Sequence, residues 1–179
     1  TFQQGSAISG VYSTFQPHLN NLITFVKANV TNPKVRYGFN MTWAYATNYV
    51  NEEYAANYGS NQLTMYNAIV SAYKQAMAST GIDLLIPTGT AIQNARGVTD
   101  LATGNDLTVD GYHLATGMPS VVTGFVYYEL ILNSIFGKSL LTDINFDYAS
   151  NESRYKGYLA KLCAKNAVSN PFKVTAIQT

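Results

Sequence analysis

The sequence predicts an α/β domain built on a parallel sheet, and two observations lead there. Helical periodicities alternate with short apolar runs in the order helix, strand, helix, strand, helix. The run Ile82 to Ile86, closed by Gly81 and Pro87, is compact and apolar, as a buried parallel strand requires. No linker or low-complexity tract divides the 179 residues, so a single domain over 1–179 is expected.

Taken from the N-terminus, Thr1 to Ser6 reads as the end of a strand running into a loop, so the chain is expected to begin inside a fold; a mature end left by leader removal is the other reading. Pro17 to Val30 carries Leu19, Leu22, Ile23, Val26 and Val30 at helical spacing, with Thr14 as a candidate cap and Pro17 suited to a first turn. Asn32-Pro33 ends that helix. Val35 to Met41 reads as a short strand leading into Thr42-Trp43-Ala44-Tyr45. Ala46 to Asn61, rich in Tyr and Asn, has no clear period and is read as a loop or short helix.

Leu63 to Ser79 returns to helical spacing, and Gly81 stands where a C-terminal glycine belongs. After the Ile82 to Ile86 strand, Thr88-Gly89-Thr90 leads into a short helix from Ala91 to Arg96. A polar loop runs from Gly97 to His113, and a long apolar helix from Met118 to Phe136 comes next. Asn151 to Val168 is amphipathic, with Tyr155, Tyr158, Leu159 and Leu162 opposed to Lys156, Lys161 and Lys165. Phe172 to Ile177 is a short strand or an extended tail.

Composition narrows the function classes. Lys+Arg is 11 and Asp+Glu is 10, for a net charge of +1, and charged residues make up only 12% of the chain. Nucleic acid is an unsuitable partner, because neutralising phosphates needs clustered basic residues. No apolar run reaches the roughly 18 residues of a membrane span. Cys163 stands alone, so no internal disulfide forms, and no Cys/His cluster offers a zinc site. No cofactor motif stands out.

Two histidines carry most of the remaining chemistry. His18 lies at the flank of a helix with no acidic neighbour and reads as a surface residue. His113 comes three residues after Asp110, in a turn opened by Asp110-Gly111. That spacing lets the carboxylate reach one ring nitrogen and leaves the other as a proton acceptor, which is the arrangement of a general base with its orienting acid. The same spacing also suits a purely structural turn hydrogen bond. In open parallel sheets, ligands bind beyond the carboxyl ends of the strands. Gln4-Gly5-Ser6, Trp43, Tyr45 and Thr88 fall at such places. Trp43 and Tyr45 fit a sugar-stacking face, an acyl pocket wall or core packing. Arg96 fits an anchor for an anionic substrate or an ion pair with Asp83, Asp100 or Asp106. Asp100, Asp106 and Asp110 do not have the spacing of a calcium loop.

The block Asp110-Gly111-Tyr112-His113 resembles the last conserved block of the SGNH (GDSL-type) hydrolases. Gln3 to Ser6, Met41 to Tyr45, Ile86 to Arg96 and Asp110 to Leu114 together are similar, in order, to an SGNH-like branch long catalogued as a domain of unknown function and abundant in gut-dwelling polysaccharide degraders. The resemblance implies a three-layer α/β/α sandwich with a parallel central sheet, and a Ser-His-Asp hydrolase in which Asp110 orients and His113 acts as base and then acid. It implies an oxyanion-hole role for Gln4, Gly5 or Ser6, although the Asn usual in that block is absent. It also favours export to the periplasm or cell exterior.

The nucleophile block of that family, a Gly-Asp/Asn-Ser turn after the first strand, has no counterpart in this chain. Ser6 and Ser9 lack the strand–turn–helix setting of a nucleophile elbow. The expectation is therefore the later two-thirds of the fold. The serine would sit on an absent upstream segment or a separate chain, with sheet edge and apolar surface exposed where the first strands belong. Two functions are carried forward. One is an esterase acting on small-molecule or glycan esters, O-acetyl carbohydrate among them, and inactive as this chain alone. The other is a non-catalytic domain that binds glycan or protein on the same fold.

Overall fold

In the computed structural model of the protein, the described residues are 1–101, 106–143 and 154–178. Residues 102–105 of the expected polar loop and 151–153 of the expected last helix lie outside them. Two turns of tight helix, Ser6–Ile8 and Tyr12–Phe15, precede α1 (His18–Asn29) and β1 (Gly38–Asn40). Then come α2 (Glu52–Tyr58), α3 (Gln62–Thr80), β2 (Leu84–Ile86), α4 (Thr88–Arg96) and α5 (Met118–Ile131). A π-helical turn at Leu132–Phe136, α6 (Leu140–Asp143) and α7 (Arg154–Ser169) complete the order.

Local chemistry accounts for the helix ends. The side chains of Asn51 and Asn61 accept from the Tyr54 and Thr64 amides at 2.9 Å each, which starts α2 and α3. Gly59 and Gly81, at φ +62° and +69°, close the same two helices. The patternless stretch after Tyr45 thus contains a helix because Asn51 caps it. Thr14 is not the cap of α1: its hydroxyl bonds back to the Val11 carbonyl at 2.8 Å, inside the preceding turn.

Both strands are shorter than the segments that announce them, Val35 to Met41 and Ile82 to Ile86. The register pairs Gly38 with Leu84, Phe39 with Leu85 and Asn40 with Ile86. Continued backwards, that register would set Val35 against Gly81, whose left-handed backbone turns the chain away. One step beyond Asn40, Met41 would face Pro87, which has no N–H to give. Phe2 adds a parallel bridge on the other side of β1, donating to the Gly38 carbonyl at 2.8 Å and accepting from the Asn40 amide at 2.9 Å.

The sheet separates two apolar clusters. Phe2, Phe39 and Leu85 pack with Leu19 and Ile23 of α1 and with Ile69 and Tyr73 of α3. Ile86 packs with Ile92 of α4, Val122 and Val126 of α5, and Leu159 and Cys163 of α7. Helices therefore lie against both faces. The molecule is mixed α/β and mostly helical, and the expected central sheet amounts, among the described residues, to two parallel strands and the Phe2 bridge. Among the same residues no helix is long and apolar enough to cross a membrane.

Candidate functional site

The segment from Leu107 to Ala115 folds back on itself as a narrow hairpin. Thr108 and Leu114 pair antiparallel, Val109 N–H donates to the His113 carbonyl and Ala115 N–H to the Leu107 carbonyl, both at 2.9 Å. Asp110 and Gly111 form its tip. Gly111 sits at φ +100°, where a Cβ would also meet Tyr49 at 2.6 Å, so glycine is required twice over.

The Asp110 carboxylate organises this tip. Its Oδ1 accepts from the Tyr112 amide at 3.0 Å and the His113 amide at 2.8 Å, and its Oδ2 lies 2.5 Å from His113 Nδ1. The His113 side-chain bond first, and the two amides after it, hold the carboxyl down to about 2. An ionised carboxylate only accepts, so Nδ1 carries the proton and Nε2, across the ring, is left as the acceptor. The side chains are open to solvent, His113 at 57% and Asp110 at 44%.

The hairpin tip rests on the segment that leaves β1. Trp43 Nε1 donates to the Tyr112 carbonyl at 2.7 Å, and the Ala46 amide donates to the Gly111 carbonyl at 2.7 Å. Beneath them, Tyr45 sets its ring edge-on to Tyr49, Tyr54 and Tyr112, with centroids 4.9, 5.4 and 5.5 Å apart. The Tyr112 ring lies 3.6 Å from the His113 ring. Burial, more than its neighbours, pushes the Tyr45 phenol up to about 12.

The other candidates take different places. Tyr45 is only 4% exposed, so it props the hairpin from within and presents no face to a sugar. Trp43 is partly buried with its N–H engaged. Thr88 is also buried, and its hydroxyl donates to Asn40 Oδ1 at 2.7 Å. Asn40 in turn donates to Gln3 Oε1 at 2.6 Å, a polar chain across the carboxyl ends of the strands that has no signature in the sequence. Arg96 is not an anchor for substrate: its side chain is 5% exposed and its Nε lies 3.2 Å from Asp106 Oδ2. The Gln4 amide donates to Thr14 Oγ1 at 3.0 Å and accepts from Gly5 N–H at 2.8 Å, so both groups are engaged locally. Ser6 pulls the Tyr45 phenol slightly down against the effect of burial, which sets the Gln4-Gly5-Ser6 turn beside the Tyr45 and Tyr112 rings under His113.

A cleft of about 370 Å³ opens beside the hairpin between Asn48, Tyr49, Val50, Asp110 and Gly111. Tyr49 joins the site only through the fold, the Tyr-rich, patternless stretch being its one trace in the sequence, and the fold selects Asp106 from the three ion-pair partners open to Arg96. Among the described residues no group of three or more His, Cys, Asp or Glu side chains is placed to hold a metal ion.

A family model described as "Domain of unknown function (DUF4886)" matches residues 1–173. Among solved structures, a DUF4886 family protein from Bacteroides uniformis is similar with a TM-score of 0.85 and 30% identity. The match covers 98% of this chain and 63% of that one, so this chain spans less than two thirds of its relative. No curated protein matches.

Proposed function

The chain belongs to the DUF4886 family, and from that premise we propose that it is the base-bearing part of a serine-hydrolase-type esterase of the SGNH kind. The observation that carries this reading is the 2.5 Å contact between Asp110 Oδ2 and His113 Nδ1 beside an open ring. His113 Nε2 takes the proton of a serine hydroxyl as its oxygen attacks the ester carbonyl. Asp110 stabilises the imidazolium so formed. The same nitrogen returns the proton to the departing alkoxide, and the acyl-serine is released by water activated in the same way.

The serine belongs to an upstream segment, and the wider three-layer α/β/α sandwich is part of the same proposal. Two features support it. Phe2 turns both its backbone groups towards β1, so those of Thr1 and Gln3 face outwards as on a sheet edge. Next to that edge lies a groove of about 580 Å³, lined by Phe2, Ile8, Phe15, Leu19, Leu22 and Phe39 among others. With Gln4 and Gly5 engaged, the Ser6 backbone N–H is the donor this turn offers to an oxyanion. The cleft beside Asp110 supplies uncharged groups, Asn48, Tyr49 and Val50, suited to a neutral ester such as an O-acetyl carbohydrate.

The test is hydrolysis of p-nitrophenyl acetate by the complete protein and by its His113→Ala variant. The expected loss is on the order of 10³ or more, as for a triad member. Equal rates in the two proteins would end the esterase reading and leave a binding domain. Reading the upstream sequence for a strand that runs into a Gly-x-Ser turn is the cheaper check on the nucleophile.

A further inference from the structure

The dyad hairpin has two supports, and one guanidinium touches both. At the base, Asp106 and Leu107 adopt φ +56° and +67°, a conformation that is uncommon for Asp and an outlier for Leu. Leu107 is held there by burial at 1% exposure, and Asp106 by Arg96, with Gln62 Nε2 donating to the same carboxylate oxygen. At the tip, Tyr112 and Gly111 rest on Trp43 and Ala46. Between those two residues is Ala44, whose carbonyl accepts from Arg96 NH2 at 2.8 Å, while Arg96 NH1 donates to Gln93 at 2.9 Å. Arg96 comes from the last turn of α4, so it ties both supports to a helix packed in the core.

We propose that Arg96 and Asp106 are positioning residues, a buried clamp that fixes the hairpin base and its resting segment in one frame and so holds Asp110 on His113 Nδ1. The inference rests on the esterase reading of the dyad. A lysine cannot replace this fork, because one ammonium cannot meet Asp106, Ala44 and Gln93 in a plane. The guanidinium keeps its charge in the interior, so it needs Asp106 to offset the desolvation: burial pulls the Arg96 group down and the Asp106 charge pushes it back.

The experiment reads the His113 tautomer in this protein with ¹⁵N-labelled histidine, by long-range ¹H–¹⁵N spectra above neutral pH, with His18 as internal reference. Wild type is expected to show a protonated Nδ1. Asp110→Asn is expected to lose that signature and calibrates the readout. Arg96→Met is expected to lose it as well, and Arg96→Lys to recover only part. The double variant Arg96→Met/Asp106→Asn leaves no buried charge unpaired, so it remains readable where the single variant unfolds, and it too is expected to lose the signature. In the complete protein the same variants are expected to drop kcat by about 10²-fold with KM nearly unchanged, as for a base displaced by about 1 Å. A folded double variant that keeps the wild-type tautomer overturns the clamp. An Asp110→Asn variant that keeps it overturns the dyad itself, and with it the esterase reading, whatever Arg96 does.

Discussion

Trp43 donates its indole N–H to the carbonyl of Tyr112 across 69 positions of chain, at 2.7 Å. That bond sets the end of β1 under the turn that presents His113. Two distant segments become one site through it, and the carbonyl it satisfies is partly enclosed.

Trp43→Phe keeps most of the apolar body and removes the donor. Stability is expected to fall by about 1 kcal/mol, the net worth of one such hydrogen bond, with more lost if the Tyr112 carbonyl finds no water. A shift in the denaturant midpoint at unchanged slope is the measurement. An unchanged midpoint would mean that the backbone bond from Ala46 to Gly111 suffices.

The acid limb of stability carries the sign of Asp110. Its carboxyl sits near 2 in the folded chain against 3.8 ordinarily, so the unfolded state binds the proton more readily. Its contribution is therefore complete above about pH 4 and disappears as pH falls towards 2. Asp110→Asn is expected to flatten the stability profile in that window, as read by urea melts from pH 2 to 5.

Two glycines are expected to respond in opposite directions to alanine. A Cβ on Gly89 would stand 2.0 Å from the Thr42 carbonyl oxygen, a backbone atom just past the end of β1. Gly89→Ala is expected to cost the upper part of the roughly 1–3 kcal/mol of overpacking, or more, and to push α4 off the end of β1. Gly124 lies inside α5 with nothing within 4 Å of the added carbon. Gly124→Ala is expected to stabilise by roughly 0.5–1 kcal/mol through helix propensity. Thermal melts of the two variants beside wild type decide both.

Cys163 is fully buried on α7, and desolvation pushes its thiol up to about 12. Native protein at pH 8 is expected to be inert to a chromogenic disulfide reagent, and to release one equivalent of chromophore once guanidinium unfolds it. Rapid labelling of the native protein would show that α7 opens locally.

The dyad was legible because it is local. Asp110 and His113 are three residues apart and Gly111 makes the turn between them, so the pairing itself can be read from local spacing, while what holds that turn in place cannot. Arg96 and Trp43 were legible only as residue types with several uses. Which use holds depends on Asp106 arriving beside one and Tyr112 beside the other. Tyr45 shows the same limit: an aromatic past a strand end suits a substrate face or a prop, and the packing of Tyr49, Tyr54 and Tyr112 around it makes it a prop.

By itself the sequence determined the features of short range: the helical faces, the Gly81 end of α3, the strand runs Val35 to Met41 and Ile82 to Ile86, and the Asp110–His113 pair. The tertiary structure alone decided where those runs stop pairing, which polar groups are closed off in the interior, and which frame holds the hairpin. Periodicity and turn chemistry act over a few residues, whereas burial and partner choice are properties of segments brought together from far along the chain.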